Sequence, residues 1–516
     1  MDENGKVIVS FTQRPKPLNV DDILRIIGEF GRFHWILEMV SALMFIVPAI
    51  HIYIMIFAAP EPDWKCVEGS LTCYLNGTQP STNEYRCSIP RSEWEFVQDE
   101  GTRTVIVDFD IYCESSWLIY MTSSIFYLGK LVGAFVFGWM ADTYGRKRIL
   151  FPTLALALLT ELAAIVTPNL WLFLMFRFFC GMFIAGLFNT LLLMVSEFVS
   201  TRYRPLATSI LWMFWIVGLC LLPLQAYFIR DWKILFLVCS APYLLSLLSF
   251  WFIPESPRWL RTEERMDEAI KVLKEIARWN GKEIDEKTTL SKPVKINEQR
   301  TTPLALFKKD MIKSTLAQGV LWSTTGLVYI GLASTAGDLG GSVYLNFVYL
   351  SLAEIPSNVL AAHLPNRFGR KKTTILSLFL AGIFCISIGF IPINEYGKII
   401  RVVFGMIGKF LSTLSLNTVT IWSFELFPTS IRSKGLSWVY MALNVGTTAS
   451  PWIVQGLKVY SNRLPFFTMG GSALLGSFAG FVLEETNGKD AKDTRDEVYH
   501  EKDGDIVTVV KKTTCL

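Results

Sequence analysis

The chain has 516 residues, of which 51% are hydrophobic, 14% aromatic and only 18% charged, and its mean hydropathy is +0.38. This balance is too apolar for a water-soluble domain of this length and predicts a membrane protein. The formal net charge of +4 is weak evidence for nucleic acid binding, and because the cations lie in short loops beside apolar runs, we attribute them to membrane orientation and exclude a nucleic acid partner.

The N-terminal region lacks the pattern of a cleaved signal peptide. Residues 1–35 are polar and mixed in charge, and no small-residue cleavage site follows the first apolar run, which begins near Trp35. We therefore predict a cytoplasmic N-terminus over residues 1–35 and a first span that stays in the membrane as an anchor.

About twelve segments approach the roughly 20 apolar residues that a helix needs to cross a bilayer. They lie near residues 36–57, 117–140, 149–166, 171–195, 206–228, 234–253, 315–335, 342–363, 373–392, 398–422, 435–457 and 465–483. The predicted fold is an all-α polytopic membrane protein. It consists of an N-terminal six-helix bundle, a cytoplasmic linker with a helix-like run RMDEAIKVLKEIARW, a C-terminal six-helix bundle and a cytoplasmic tail, over residues 36–255, 256–314, 315–485 and 486–516.

The orientation follows from the loops that carry the cations. These loops alternate along the chain, and the positive-inside rule assigns them to the cytoplasm. The cations are those of the linker together with Arg146, Lys147, Arg148, Arg202, Arg204, Arg367, Arg370, Lys371, Lys372, Arg432 and Lys434. Both termini are then cytoplasmic, and loop 58–116 is extracellular.

The loop over residues 58–116 carries chemistry suited to an oxidising compartment. It contains a glycosylation sequon at Asn76 and four cysteines, which are Cys66, Cys73, Cys87 and Cys113. An even set of cysteines in a polar extracellular segment predicts up to two disulfides, with three pairings open. The remaining cysteines lie in apolar runs or in the tail.

The two halves of the chain repeat one another. The run GWMADTYGRKR recurs in degraded form as HLPNRFGRKK, FRFFCG as IRVVFG, SEFVSTRYR as FELFPTSIR, and PESPRW as EETNGK, at a nearly constant offset. The match of FRFFCG with IRVVFG pairs Arg177 with Arg401. Two bundles of common plan are typical of transporters whose substrate site lies between the halves near the middle of the membrane.

The repeated motifs place opposed charges at the cytoplasmic helix junctions. Gly138 is expected to allow a close helix approach and Gly145 a tight turn. The predicted cytoplasmic gate consists of Asp142, Gly145, Arg146, Glu197, Arg204, Glu255, Arg258, Arg370, Glu425 and Arg432. If these charges latch the cytoplasmic side shut, breaking the latch opens the protein inward. The alternative is that the cations only set the membrane topology.

These motifs resemble the major facilitator superfamily, and within it the organic cation, anion and zwitterion transporter family. The similarity rests on GWMADTYGRKR, PESPRWL, ELFPTSIRSKG, FGRF, the cysteine-bearing first loop and VIVDFDIYCESSW, and it covers nearly the whole chain. In the second repeat, Ala362 and Asn366 replace the usual glycine and acid, and EETNG lacks the usual proline. The resemblance implies alternating-access transport of small organic ions at the plasma membrane.

Several residues are candidates for substrate binding. Ionisable groups deep in a span are costly and are usually paired or functional, so Glu354 and Lys409 are expected to form a salt bridge with each other or to contact the substrate. Trp322 and Tyr329 are seven residues apart and share a helix face, and by resemblance they line the cavity of cation-transporting members. The other candidates are Phe188, Trp212, Asn417 and Asn444.

Asn444 bears on the charge of the substrate. By resemblance, its position carries an aspartate in cation transporters of the family and an arginine in anion transporters. A neutral residue here, with Glu354 and Lys409 cancelling, predicts a cavity of little net charge. Aromatic faces attract cations, so organic cations or carnitine-like zwitterions are favoured and an organic anion transporter is the alternative.

Other classes of function are less well supported by the sequence. The four histidines are scattered, and the sequence contains no clustered metal ligands and no phosphate-binding loop, so we predict no enzyme, no metal and no cofactor. A non-transporting receptor or scaffold on a transporter fold is a further alternative, whereas the long cysteine-bearing loop argues against a sugar transporter. We expect a monomer in the lipid bilayer that is facilitative or coupled to Na+ or H+.

Overall fold

The structure is a computed structural model, and it describes residues 18–68, 70, 73, 83–97, 102–285, 288–292, 306–308, 311–428 and 431–488. The predicted glycosylation site Asn76 lies outside the described residues, as does nearly all of the predicted tail.

The first half of the chain is built from helices and a small two-stranded sheet. The helices are α1 (Val20–Ile27), α2 (Arg32–Tyr53), α3 (Met55–Ala58), α4 (Asn83–Ser88), α5 (Val105–Asp108), α6 (Trp117–Tyr144), α7 (Arg146–Val166), α8 (Leu170–Phe198), α9 (Arg204–Phe228), α10 (Trp232–Cys239) and α11 (Ala241–Leu247). The strands are β1 (Trp64–Cys66) and β2 (Trp94–Phe96), paired antiparallel.

The linker and the second half are also helical. Their helices are α12 (Pro257–Thr262), α13 (Met266–Trp279), α14 (Ile312–Ser334), α15 (Val343–Leu352), α16 (Glu354–Phe368), α17 (Arg370–Phe390), α18 (Glu395–Leu426), α19 (Arg432–Pro451) and α20 (Leu464–Gly480). A π-helical turn over Trp452–Gly456 extends α19.

The helices agree with the predicted spans. Within the described part of the chain, ten helical segments are long and apolar enough to cross a membrane: Arg32–Tyr53, Cys113–Tyr144, Arg146–Val166, Leu170–Phe198, Arg204–Phe228, Trp232–Trp251, Ile312–Ser334, Val343–Phe368, Arg370–Phe390 and Glu395–Leu426. The remaining two predicted spans are α19, which begins with cations, and α20, which has only 17 residues. Both pack against α14, so they complete the second bundle.

Local sequence explains where several of these helices begin. Polar side chains cap exposed amides at three extracellular ends, with Asn169 accepting from Trp171 N at 2.8 Å, Asp231 capping α10, and Asn394 capping α18. Gly145 and Gly369 have φ values of +109° and +96°, which suit glycine and let two consecutive helices follow one another in a sharp turn.

The packing of the two halves repeats as the sequence does. In the first half α2 packs on α9, and α7 packs on α8; in the second, α14 packs on α19, and α17 packs on α18. Helices α6 and α8 cross closely, since a Cβ built on Gly129 or Gly133 would lie 2.0 Å from a carbonyl oxygen of α8. The close approach predicted at Gly138 is wrong, because a Cβ there meets no described atom within 4 Å.

The extracellular loop has a small core of its own. Cys66 pairs with Cys73, and Cys87 pairs with Cys113, which selects one of the three pairings left open by the sequence. The Arg91 guanidinium lies 4.3 Å from the ring centroid of Trp94, which is buried in the sheet. These contacts hold the parts of the loop to one another.

The N-terminal helix α1 docks against the linker. The side chain of Asn280 accepts a hydrogen bond from Phe33 N at 3.1 Å and donates one to Ile27 O at 3.0 Å. The helix-like run of the linker forms α13, as predicted. The N-terminal segment and the linker are therefore one packed unit beneath the first bundle.

Candidate functional site

The buried pair Glu354 and Lys409 lies deep in the second bundle. Lys409 Nζ is 3.1 Å from Glu354 Oε1 and donates a 2.9 Å hydrogen bond to Tyr329 O. The hydroxyl of Tyr329 donates to Glu354 Oε2 at 3.2 Å, and Lys409 Nζ lies 3.4 Å from the centroid of its ring. The predicted salt bridge is confirmed, and it includes Tyr329 as a third member.

This cluster lies where the two bundles meet. Tyr53 at the end of α2 lies beside Tyr329 and Glu354, and Trp215 of α9 lies beside Tyr329. The ring of Tyr53 also meets Phe347 of α15, with centroids 5.4 Å apart. Groups of both halves therefore surround one charged pair, all of them shielded from solvent in this conformation.

Trp322 lies about two turns before Tyr329 on α14. Its indole N–H donates to Ser423 Oγ at 2.9 Å, and its ring meets Tyr440 at 5.3 Å between centroids. Only 1% of its surface is exposed. It packs among residues of the second half, and its hydrogen bond goes to Ser423 rather than to the Tyr329 cluster.

The predicted aromatic residues Phe188 and Trp212 belong to a second group, in the first half. Their ring centroids are 6.1 Å apart, and both rings pack against Phe45 and Trp215. Because Trp215 also lies beside Tyr329, this aromatic group continues into the charged cluster.

The two predicted asparagines lie apart from one another. Asn417 of α18 donates to Asn358 Oδ1 of α16 at 2.7 Å. Asn444 is half-buried on α19, and its amide donates to the carbonyl of Tyr440 one turn earlier in its own helix at 2.8 Å. Neither residue contacts the Glu354–Lys409 pair among the described contacts.

The charged residues of the first repeat form a network that holds the start of α7. Glu255 Oε1 accepts hydrogen bonds from the backbone N–H groups of Arg146 and Lys147, at 2.8 and 3.0 Å. The Arg146 guanidinium pairs with Glu197 at 2.9 Å and with Asp142 at 2.9 Å. A carboxylate at a helix N-terminus satisfies free amides and is favoured by the helix dipole.

The second repeat builds the same arrangement with different details. Glu485 accepts from the backbone N–H of Arg370 and of Lys371, at 2.9 and 3.1 Å, and Arg370 pairs with Glu425 at 3.1 Å. Asn366, the counterpart of Asp142, forms no ion pair, and Asn487 contacts the Arg370 guanidinium instead. The sequence repeat therefore encodes two similar charged caps.

The remaining gate residues bind backbone carbonyls or the N-terminal helix. Arg204 donates to Ser196 O at 3.1 Å, and Arg432 donates to Phe427 O at 3.2 Å. The Arg258 guanidinium donates hydrogen bonds to both carboxylate oxygens of Asp21, at 3.0 and 2.8 Å. These bonds lower the pKa of Asp21, so the stability they add is present above the ordinary pKa of aspartate and is lost as the pH falls through the lowered value.

The ion pairs of the predicted gate lie within one half of the molecule. For the described residues, Arg146 pairs inside the first half, Arg370 inside the second, and Arg258 with the N-terminal helix. The contacts between the halves are of another kind: at the opposite ends of the spans, the rings of Trp117 and Trp452 stack with centroids 6.5 Å apart. Among the described residues of the predicted gate, no ion pair joins the two halves in this conformation.

Tyr53 in the site and Asn358, the partner of Asn417, were not among the candidates predicted from the sequence. Tyr53 and Asn358 have ordinary helical surroundings in the sequence, and their importance arises from which helices meet. Trp215 was recognisable as one of several aromatic residues in α9, but no periodicity distinguishes it from a packing residue.

Known proteins resemble this chain over most of its length. The family described as "Sugar (and other) transporter" matches residues 64–496. Organic cation/carnitine transporter 4 of Arabidopsis thaliana is 30% identical over 92% of this chain and 90% of its own. Solute carrier family 22 member 3 of Mus musculus is 30% identical over 87% of this chain and 79% of its own.

The fold also has solved counterparts. The inward-open xylose transporter XylE of E. coli superposes with a TM-score of 0.65 over 91% of this chain and 99% of its own, at 16% identity. At that identity the likeness concerns the fold alone. The extent of the family match and the identity to the curated relatives show that this chain belongs to the sugar (and other) transporter family, among the organic cation/carnitine transporters of the major facilitator superfamily.

Proposed function

We propose that this transporter carries organic cations or carnitine-like zwitterions, at a site built around Tyr329, Glu354 and Lys409. The observation that carries the proposal is the position of this cluster, which is buried where the two bundles meet and faces Tyr53 and Trp215 of the other half. Alternating access requires a site that both halves share, so that it opens to one side at a time.

The charge balance of the site supports a cation or a zwitterion. Lys409 neutralises Glu354, and the surrounding side chains are the aromatic rings of Tyr53, Trp215 and Tyr329, whose faces attract a desolvated cation. A zwitterion can place its ammonium near Glu354 and its carboxylate near Lys409. The names of the relatives, which include organic cation/carnitine transporters, support this choice.

The cytoplasmic networks are proposed to act as rigid caps during this movement. Each holds a helix start to its own half through Glu255 or Glu485, so the halves can separate without breaking it. We further propose that the protein is a monomer of the plasma membrane with both termini in the cytoplasm, and that its flux is facilitative or coupled to Na+ or H+. Glycosylation at Asn76 stays a prediction.

Uptake into oocytes of tetraethylammonium, L-carnitine and para-aminohippurate tests the substrate class. We expect the cation or the zwitterion to enter faster than the anion. Glu354→Gln should reduce cation uptake, Asn444→Asp should raise the preference for the cation over the anion, and Asn444→Arg should lower it. A charge added near the substrate path changes the binding free energy of a charged substrate by about 1–2 kcal/mol, which is a factor of roughly 5 to 30 in affinity.

A matched control is Glu268→Gln on the cytoplasmic helix α13, where the carboxylate pairs with Arg265 on an exposed surface. This variant should transport as the wild type does. Faster uptake of para-aminohippurate than of the other two compounds would overturn the substrate class. Specific binding of a compound without any uptake would instead favour a receptor.

A further inference from the structure

A second buried charged cluster lies in the first bundle, away from the proposed substrate site. His51 Nε2 of α2 is 3.6 Å from Glu161 Oε1 of α7. The other carboxylate oxygen, Oε2, accepts from Cys180 Sγ at 3.0 Å and lies 3.9 Å from Arg177 Nη1. These side chains are 0–1% exposed, and the mechanism described above uses none of them.

The hydrogen bond on the far side of the imidazole fixes where its proton lies. His51 Nδ1 is 2.8 Å from Val47 O, and because a carbonyl can only accept, Nδ1 must carry a hydrogen. In neutral His51, Nε2 is then an unprotonated acceptor. It faces Glu161 Oε1, which is also an acceptor when the carboxylate is ionised.

Two lone pairs facing each other in a buried site are unfavourable, and one added proton removes the conflict. Among the residues that the structure describes, neither His51 Nε2 nor Glu161 Oε1 has any hydrogen-bond partner. A proton on Nε2 makes an ion pair, and a proton on the carboxyl makes a neutral hydrogen bond. Either form satisfies both atoms at once.

The surroundings allow the pair to lose that proton as well as to hold it. Arg177 is the charged neighbour, and it stabilises an ionised Glu161 when His51 is neutral. The other titratable neighbours are Cys180 of α8, Cys239 of α10, Tyr243 of α11 and Tyr127 of α6. Glu38, a buried carboxyl on α2 itself, lies about 20 Å away along the helix.

The second repeat indicates that the fold does not require this pair. Cys385 stands at the same distance after Gly369 as Glu161 does after Gly145. Arg401, the counterpart of Arg177, donates instead to the carbonyls of Asp338 and Ile391, at 3.0 and 3.3 Å. The same bundle plan is therefore built with an arginine but without the His–Glu pair.

We propose that His51 and Glu161 together hold one exchangeable proton, and that substrate transport is coupled to its movement. The proton enters from one side of the membrane, occupies the space between Nε2 and Oε1, and leaves to the other side with the substrate. Helix α2 links the two sites, because His51 lies two residues before Tyr53, which faces the substrate cluster. The inference rests on the proposed transport function and names its coupling ion.

Proteoliposomes test the proposal with the membrane potential clamped by K+ and valinomycin. One proton per substrate predicts that an inward gradient of one pH unit raises the accumulation ratio of tetraethylammonium or L-carnitine by up to about tenfold. A protonophore should abolish the rise. Substrate added to the wild type should also change the pH reported by a trapped dye.

The variants His51→Gln and Glu161→Gln should lose the dependence of accumulation on the pH gradient. Counterflow exchange of substrate at equal pH tests whether these variants are folded. His363→Gln is the matched control, since His363 is exposed on α16, and it should keep the wild-type response. If neither variant exchanges substrate, the dye signal of the wild type decides whether substrate transport moves protons.

The outcomes separate the two proposals. Wild-type protein that exchanges neither substrate would overturn the proposed function. Exchange without any response to the pH gradient, or without a dye signal, would overturn only the proton site. The proton site would also be overturned if an active His51→Gln variant kept its response to the pH gradient. The same holds if Glu38→Gln lost that response while His51→Gln kept it.

Discussion

At the scale of single residues, the Glu354–Lys409 pair shows how a membrane interior constrains charge. Each group alone would be a costly buried ion, whereas together they satisfy one another, with the Tyr329 hydroxyl as a further donor to the carboxylate. The loss of one partner should therefore cost more than the loss of both.

Lys409→Met tests this at the level of stability. Removing the cation leaves the Glu354 carboxylate buried and charged, and the free energy of unfolding should fall by roughly 3–5 kcal/mol. The double variant Lys409→Met/Glu354→Gln should recover much of this loss, because the amide carries no charge. Thermal unfolding of purified protein in detergent measures both.

The control for these two variants is Lys65→Met. Lys65 pairs with Glu95 on the exposed strands β1 and β2, where the two side chains are 55% and 52% exposed. A pair of this kind contributes about 0–1 kcal/mol. Equal melting temperatures for Lys409→Met and the double variant would contradict the expected cost of an unpaired carboxylate.

At the scale of secondary structure, each cytoplasmic cap is one carboxylate that meets a helix start beside a glycine. A Cβ built on Gly145 would lie 2.4 Å from Glu255 Oε2, and one on Gly369 would lie 2.4 Å from Glu485 Oε2. Each glycine therefore has two roles: it adopts a positive φ, and it leaves room for the carboxylate that caps the following helix.

Gly145→Ala should destabilise the protein by about 1–3 kcal/mol, because the methyl group strains the backbone and displaces Glu255 from the amides of α7. Gly138→Ala is the matched variant, as its Cβ meets no described atom within 4 Å inside α6. It should be neutral or stabilising by up to about 1 kcal/mol. Thermal unfolding should therefore show a lower melting temperature for Gly145→Ala and an unchanged or higher one for Gly138→Ala, and an equal fall in both would argue against the cap.

The sequence predicted these elements well where a local pattern encodes them. Apolar length predicted the spans, and the repeated GRK motifs predicted opposed charges at equivalent helix junctions of both halves. The Glu354–Lys409 pair was predictable because both charges lie deep in apolar helices of one half. Tyr53 and the His51–Glu161 pair were not, because their contacts depend on which helices become neighbours, and neither periodicity nor spacing reports that.

At the scale of the whole molecule, aromatic contacts on the extracellular side join the halves. Trp117 stacks on Trp452, and Phe57 stacks on Tyr344 with centroids 5.6 Å apart. The ion pairs of the gate lie within the halves instead. Transport by alternating access then requires the aromatic contacts to separate while the charged caps stay intact.

A cross-link between the halves tests this movement. In a Trp117→Cys/Trp452→Cys variant, a flexible thiol-reactive cross-linker should hold the extracellular side closed and reduce substrate uptake to the level of cells that lack the protein. Both native tryptophans are about two-fifths exposed, at 43% and 42%, so the reagent can reach these positions. Each single-cysteine variant, treated in the same way, controls for modification of one helix alone and should retain its uptake. Undiminished uptake by protein shown on a gel to be fully cross-linked would mean that the halves do not separate here during transport.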